Sequence, residues 1–97
     1  MIRSFRNQQS EDVFNGKHSK QAAKVLPLKL WGMAARRLDQ INRATQLDYL
    51  AVPQGNRLEA LKGNREGQHS IRINDQYRIC FRWADDGAHD VEITDYH

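Results

Sequence analysis

The chain has 97 residues, 39% of them hydrophobic, with a net charge of +3 and a single cysteine, Cys80. That length suits one domain spanning 1–97 with a small core, and a lone cysteine excludes an intrachain disulfide framework and a cysteine-based zinc cluster. No window nears the roughly 18 apolar residues of a membrane helix, and the start, Met1 to Arg6, lacks the apolar run of a secretory leader, so a soluble cytoplasmic protein with no membrane partner is expected.

The net charge conceals a partition. Residues 1–45 carry nine Lys/Arg against three Asp/Glu, residues 56–82 carry six against three, and residues 83–97 carry five Asp/Glu with no Lys or Arg. A basic body attracts polyanions, because binding releases counterions from a phosphate chain. The distribution favours nucleic acid over small molecules as a partner.

In chain order, Ile2 to Phe5 reads as a short first strand. Ser10 is placed to cap a short helix with Glu11 and Asp12 in its first turn and Gly16 just past its end. Lys17 to Gln21 is polar and reads as loop. From about Pro27 to Thr45 the pattern is helical: Leu30, Ala34, Leu38 and Ile41 form a stripe flanked by Trp31 and Ala35, with Lys29, Arg36 and Arg43 on the opposite side. After Gly55 the period shortens. Arg57 to Leu61 reads as a strand, Gly63 to Gly67 as a turn, and Gln68 to Ile73 as a strand with Ile71 and Ile73 inward. Asn74-Asp75 then reads as a two-residue hairpin turn. Gln76 to Trp83 puts Tyr77, Ile79, Phe81 and Trp83 together. Asp85 to Gly87 turns the chain into a last strand, His89 to His97, with Val91 and Ile93 inward. The order predicts an α+β domain, an antiparallel meander with N-terminal helices packed on one face.

Side chains alternate across a sheet, so the apolar assignments fix where the polar ones point. One face should gather Glu59, Arg72, Arg78, Arg82 and Tyr96, with Lys62 and Arg65 in the adjoining loop and His97 at the edge. Such a set could perform RNA cleavage by the RNA's own 2′-hydroxyl, which needs a base, cations at the phosphate and an acid for the leaving oxygen. Glu59 would be the base. Arg78 would grip two phosphate oxygens with its planar fork, and Lys62 would add a point charge. His97 would transfer a proton, and Tyr96 would stack on a base or bond the 2′-hydroxyl. The ordinary alternative for each arginine is a solvated or carboxylate-paired state, and for Glu59 a salt bridge. Parity supports a basic binding surface and leaves open whether that surface catalyses. No phosphate loop, dinucleotide fingerprint or metal-ligand spacing is present, so no cofactor and no metal are expected.

The segments Leu61-Lys62-Gly63-Asn64-Arg65-Glu66-Gly67, Ser70-Ile71-Arg72-Ile73, Gln76-Tyr77-Arg78-Ile79-Cys80-Phe81 and Val91-Glu92-Ile93-Thr94-Asp95-Tyr96-His97 together resemble HigB toxins, a branch of the RelE superfamily. Gly55 to Glu59 and Gly67 to Arg72 look especially like the GraT-type members. The resemblance implies a microbial RNase-type fold, cleavage of messenger RNA on the ribosome, and a HigA-like helix-turn-helix antitoxin through which the pair would meet operator DNA. It matches Lys62 and Arg78 to the family's phosphate-facing cations and Asp95, Tyr96 and His97 to its functional C-terminal tripeptide. Arg65, Arg72 and Arg82 would join Asp95 in contacting RNA. Where some HigB toxins carry a histidine shortly before the Leu-Lys-Gly motif, this chain has Glu59. A non-catalytic RNA- or ribosome-binding module, or a partner in an antitoxin complex, stands as the alternative.

Overall fold

The structure, a computed structural model, describes residues 1–52 and 54–95. Three α-helices precede the sheet: α1 (Gln8–Phe14), α2 (Lys20–Val25) and α3 (Trp31–Arg43). Four strands follow, β1 (Glu59–Ala60), β2 (His69–Arg72), β3 (Tyr77–Ala84) and β4 (Gly87–Asp95), paired antiparallel in the order β1-β2-β3-β4. The helices cover one face of this sheet, as the alternation required.

Helix α3 buries Trp31, Ala34, Leu38 and Ile41 against Ile71, Ile73, Ile79, Phe81, Val91 and Ile93. Each large side chain so buried contributes about 1.5–3 kcal/mol, which makes this contact the main stabilising layer. The indole Nε1 of Trp31 donates to the Leu26 carbonyl (2.9 Å), which lets the ring bury without an orphaned donor. Lys29, Arg36 and Arg43 are exposed, as their seven-residue spacing anticipates.

Several local expectations fail for identifiable reasons. Helix α1 is capped by Asn7, whose side chain accepts from Ser10 N (2.9 Å), and not by Ser10. Ser10 is fully buried inside the helix, and its hydroxyl accepts from Ile93 N (2.9 Å), a strand donor at the sheet's edge. Part of the stretch read as loop is helix α2, started by Ser19 through a bond from Ala22 N (3.1 Å). Residues 2–5 lie beside β4 as two isolated parallel bridges, Ile2 to Ala88 and Phe5 to Val91, and not as a full strand. They still close that edge, since Arg3 N donates to Ala88 O (2.7 Å) and Val91 N to Ser4 O (3.1 Å). The approach is close at Gly87, where an added Cβ would sit 2.1 Å from the Met1 carbonyl oxygen. The β2–β3 turn connects Ile73 to Tyr77 through Asn74, Asp75 and Gln76, with Ile73 N donating to Tyr77 O (2.9 Å). Asn74 Oδ1 accepts from Gln76 N and Tyr77 N (2.9 and 2.8 Å), so the side chain organises a three-residue loop. The strand expected over 57–61 shrinks to Glu59–Ala60, because Arg57 takes a left-handed backbone with φ +47°.

Strand β4 carries an irregularity that alternation does not foresee. Cys80 pairs with Glu92 but Arg82 pairs with His89, so β4 holds one extra residue, at Asp90 with φ +54°. This bulge switches the facing of β4 and allows both Ala88 and Val91 to be fully buried in the core.

The helical layer is tied together by Asp12, which accepts from Ser19 Oγ (2.6 Å) and Gln8 Nε2 (2.9 Å). The Ser19 hydrogen bond, then the Gln8 one, holds the Asp12 carboxyl below its usual value. A depressed folded-state value means the contribution is present above the unfolded pKa of about 4 and is lost as pH falls through the folded value. Ser19→Ala should therefore lower stability at pH 7, and denaturant titrations should show the gap to wild type narrowing below about pH 4. A gap that stays constant down to pH 3 would assign the whole loss to the α2 cap.

Candidate functional site

Strand β3 is central, and its even-numbered side chains leave the core. Arg78 lies opposite Arg72 on β2 and Thr94 on β4, and Cys80 lies opposite Ser70 and Glu92. Two like charges directly opposite each other destabilise a strand pair unless their heads diverge or find partners. Here both happen. Arg72 forms an ion pair with Asp75. Arg78 turns the other way: its Nε donates to Ser70 Oγ (2.7 Å), and its Nη2 to the carbonyls of Arg57 (2.5 Å) and Ser70 (3.3 Å). Its Nη1 lies 3.9 Å from Glu59 Oε1.

Between these heads is a cleft of about 290 Å³ lined by Arg57, Glu59, Arg72, Asn74, Asp75 and Arg78. Three arginines and two acidic residues line it, an excess of positive charge that suits a phosphate. Three hydrogen bonds fix the walls. Arg37 Nε on α3 donates to the Arg72 carbonyl (3.1 Å). The fully buried Asn56 side chain donates to Gln40 Oε1 (2.9 Å) and Leu50 O (3.1 Å), anchoring the chain just before Arg57.

A basic binding surface implies an exposed face, and the structure shows a largely buried one. Ser70 and Cys80 are fully buried and Arg78 is 8% exposed. Arg65 reaches from the β1–β2 loop across β3 to Glu92 (3.0 Å), which Arg6 also approaches (3.8 Å). Of the residues expected to act together, Glu59, Arg72 and Arg78 share the cleft. Lys62 is exposed in the loop beyond β1 and does not line it. Arg82 is paired with Asp90 (3.5 Å) at the bulge, four residues or about 13 Å along the strand from Arg78. Asp95 ends β4 exposed, accepting from Gln76 Nε2 (3.0 Å). Tyr96 and His97 lie outside the described residues. Strand parity puts Arg57 on the same face as Glu59, but it does not foresee the Arg57 carbonyl as an acceptor for Arg78, because an unusual φ places it. Among the described residues no group of three His, Cys, Asp or Glu is placed to hold a metal ion, and no helix is long and apolar enough to cross a membrane.

A second cavity, of about 340 Å³, lies by the N-terminus and the β3–β4 turn and includes Arg3, Asp85 and Asp86. His89 Nε2 is 2.6 Å from Asp86 Oδ1, and this hydrogen bond is the chief cause of the lowered Asp86 pKa, with a smaller contribution from the Arg3 charge. These groups satisfy one another, and the corner lacks the arginine cluster of the first cleft.

The protein is a small α+β domain with an arginine cleft on the face of its four-stranded meander that points away from the helices. The fold aligns with the YoeB-YefM complex from Staphylococcus aureus at a TM-score of 0.61, over 100% of this chain and 98% of that one, at 20% identity. Residues 3–97 match the family described as RelE-like toxin of type II toxin-antitoxin system HigB, and the chain belongs to that family. It is 31% identical over 97 residues to Endoribonuclease HigB of Proteus vulgaris, covering both chains completely. It is 39% identical over 62 residues to Toxin HigB-1 of Vibrio cholerae, a match spanning 64% of this chain and 65% of that toxin.

Burial changes what is expected of Arg78. Arg78→Ala leaves the Ser70 hydroxyl and the Arg57 carbonyl without their donor, which should cost about 1–3 kcal/mol of stability, more than a solvated strand residue would. If Arg78 contacts a transition-state phosphate, the same change should also remove on the order of 2–4 kcal/mol of rate, roughly 30- to 1,000-fold. Chemical denaturation and a cleavage assay held well below the melting temperature separate the two. Arg78→Lys should recover little of either, and a fully active lysine variant would show that charge alone suffices.

Proposed function

We propose that the chain is an endoribonuclease toxin that cuts messenger RNA by attack of the RNA's own 2′-hydroxyl on the adjacent phosphorus. The observation that carries this reading is the cleft in which Arg57, Arg72 and Arg78 stand beside Glu59, in a chain that belongs to the HigB-like toxin family. The 2′-oxygen forms a bond to phosphorus as the 5′-oxygen leaves. The upstream fragment then ends in a 2′,3′-cyclic phosphate and the downstream fragment begins with a 5′-hydroxyl. Arg78 and Arg72 meet the phosphate oxygens on which charge builds, Glu59 takes the 2′-proton, and Lys62 adds charge from the loop beyond β1. Tyr96 and His97 fill the stacking and proton-donating roles in this scheme. Arg65, Arg82 and Asp95 are engaged by Glu92, Asp90 and Gln76, so their contact with RNA is assigned to the rim of the site.

The partners follow from the same reading. A HigA-like antitoxin would neutralise the protein and carry it to operator DNA. The ribosome would supply the positioning that a shallow cleft lacks, by presenting the message in a reactive geometry. The exposed Lys29, Arg36 and Arg43 on α3 and its approach would meet ribosomal RNA.

End chemistry tests the reaction. Cleavage should persist when EDTA is titrated against added magnesium so that ribosomes stay intact. Upstream fragments should carry a 2′,3′-cyclic phosphate or the 3′-phosphate formed by its hydrolysis. Fragments ending in a 3′-hydroxyl opposite a 5′-phosphate would contradict the mechanism.

A further inference from the structure

An arginine that recognises a phosphate must present its guanidinium in a fixed plane, and a long flexible side chain does not do so unaided. We infer that Ser70 and the main-chain carbonyl of Arg57 form a cradle that sets the plane of Arg78, making Ser70 a positioning residue for the phosphate site. The inference rests on the phosphate role proposed above for Arg78.

Three acceptors converge on one edge of the guanidinium. Ser70 supplies two, its hydroxyl on Nε at 2.7 Å and its carbonyl on Nη2 at 3.3 Å, and Arg57 supplies the third at 2.5 Å. Ser70 is fully buried, so no solvent competes for its hydroxyl. Arg57 holds a left-handed φ of +47° with a full side chain, a conformation that persists only where the surroundings enforce it. Both residues thus spend unusual local features on the same edge of Arg78.

The geometry also changes how a phosphate would be met. The fork expected from sequence would use adjacent nitrogens on two phosphate oxygens. Nε and Nη2 hold protein acceptors, and Nη1 lies 3.9 Å from Glu59 Oε1, a residue that lines the cleft. The anchored edge becomes the reason for arginine at position 78: a lysine has no rigid plane through which one side can be held while the other meets the ligand.

A double-mutant cycle on single-turnover cleavage of ribosome-bound message tests this, using wild type, Ser70→Ala, Arg78→Ala and the double variant. Ser70→Ala should slow the saturated rate on the order of 10- to 100-fold while leaving the half-saturating ribosome concentration little changed. Adding it to Arg78→Ala should slow cleavage no further, because the serine acts through the arginine. Ser70→Thr, which keeps the hydroxyl, should recover most of the rate. A serine with only a structural role would lower melting temperature and leave the rate of folded molecules unchanged. Should Ser70→Ala fail to fold, the wild-type protein still decides the matter by NMR: the Arg78 Nε–H should give a resolved resonance that exchanges slowly with water. Rapid exchange of that proton overturns the inference. So does an unimpaired Ser70→Ala when Arg78→Ala is inactive, or independent effects of the two changes. An Arg78→Ala variant that cleaves at the wild-type rate removes the phosphate role itself, and the inference with it.

Discussion

A guanidinium cannot lose its charge, and at position 78 it sits almost entirely out of water. That combination constrains the structure around it. A buried charge is tolerated only when its donors are satisfied, so the neighbouring chain must deliver acceptors to fixed points. Strand β2 delivers Ser70 through its pairing with Cys80, and the segment before β1 delivers the Arg57 carbonyl through a left-handed turn. Asn56, bonded to Gln40 and Leu50, holds that segment against α3. The helical layer is thereby connected to the cleft through a few specific hydrogen bonds, although it packs on the sheet's other face.

The opposite edge of the sheet meets a different requirement. An unpaired edge strand invites association with another chain. The first six residues cover much of β4, and Ser10 supplies an acceptor for Ile93 N beyond them. The bulge at Asp90 keeps Ala88 and Val91 on the core side despite their odd separation, so β4 can pair with β3 along nearly its whole length. The site is built at the β1–β2 side, where the sheet is thin and its walls are loops, and the opposite side provides rigidity. Binding residues on a loop-walled edge held by a packed scaffold are a common arrangement in small domains.

Much of this was legible in the sequence. The stripe from Leu30 to Ile41 located α3, and strand parity placed Arg72 and Arg78 together opposite Ile71, Ile73 and Ile79. Parity also contains information that a turn rule overrode. A two-residue turn at Asn74-Asp75 would set Ile71 opposite Arg78, mixing the two faces, whereas the three-residue connection sets Arg72 opposite Arg78 and Ile71 opposite Ile79. What could not be read was whether the polar face would be wet. Ser70, Cys80 and Arg78 are buried on a face that Arg65 crosses to reach Glu92, a residue far from it in sequence and close only in the fold. The positive φ at Arg57 and at the extra residue of β4, Asp90, falls on residues other than glycine, so residue type does not signal it. Helix α2, six residues long, is too short for periodicity to reveal, and its cap at Ser19 was the available clue.

The activity proposed for the arginine cleft is RNA cleavage on the ribosome. Mapping of transcript 5′ ends within minutes of induction, in a host lacking the antitoxin, reads it out. New ends should accumulate inside translated regions, in step with the reading frame, under wild-type protein and not under Arg78→Ala expressed to the same level. Growth arrest by the wild type without new 5′ ends, or the same ends under Arg78→Ala, would contradict the account.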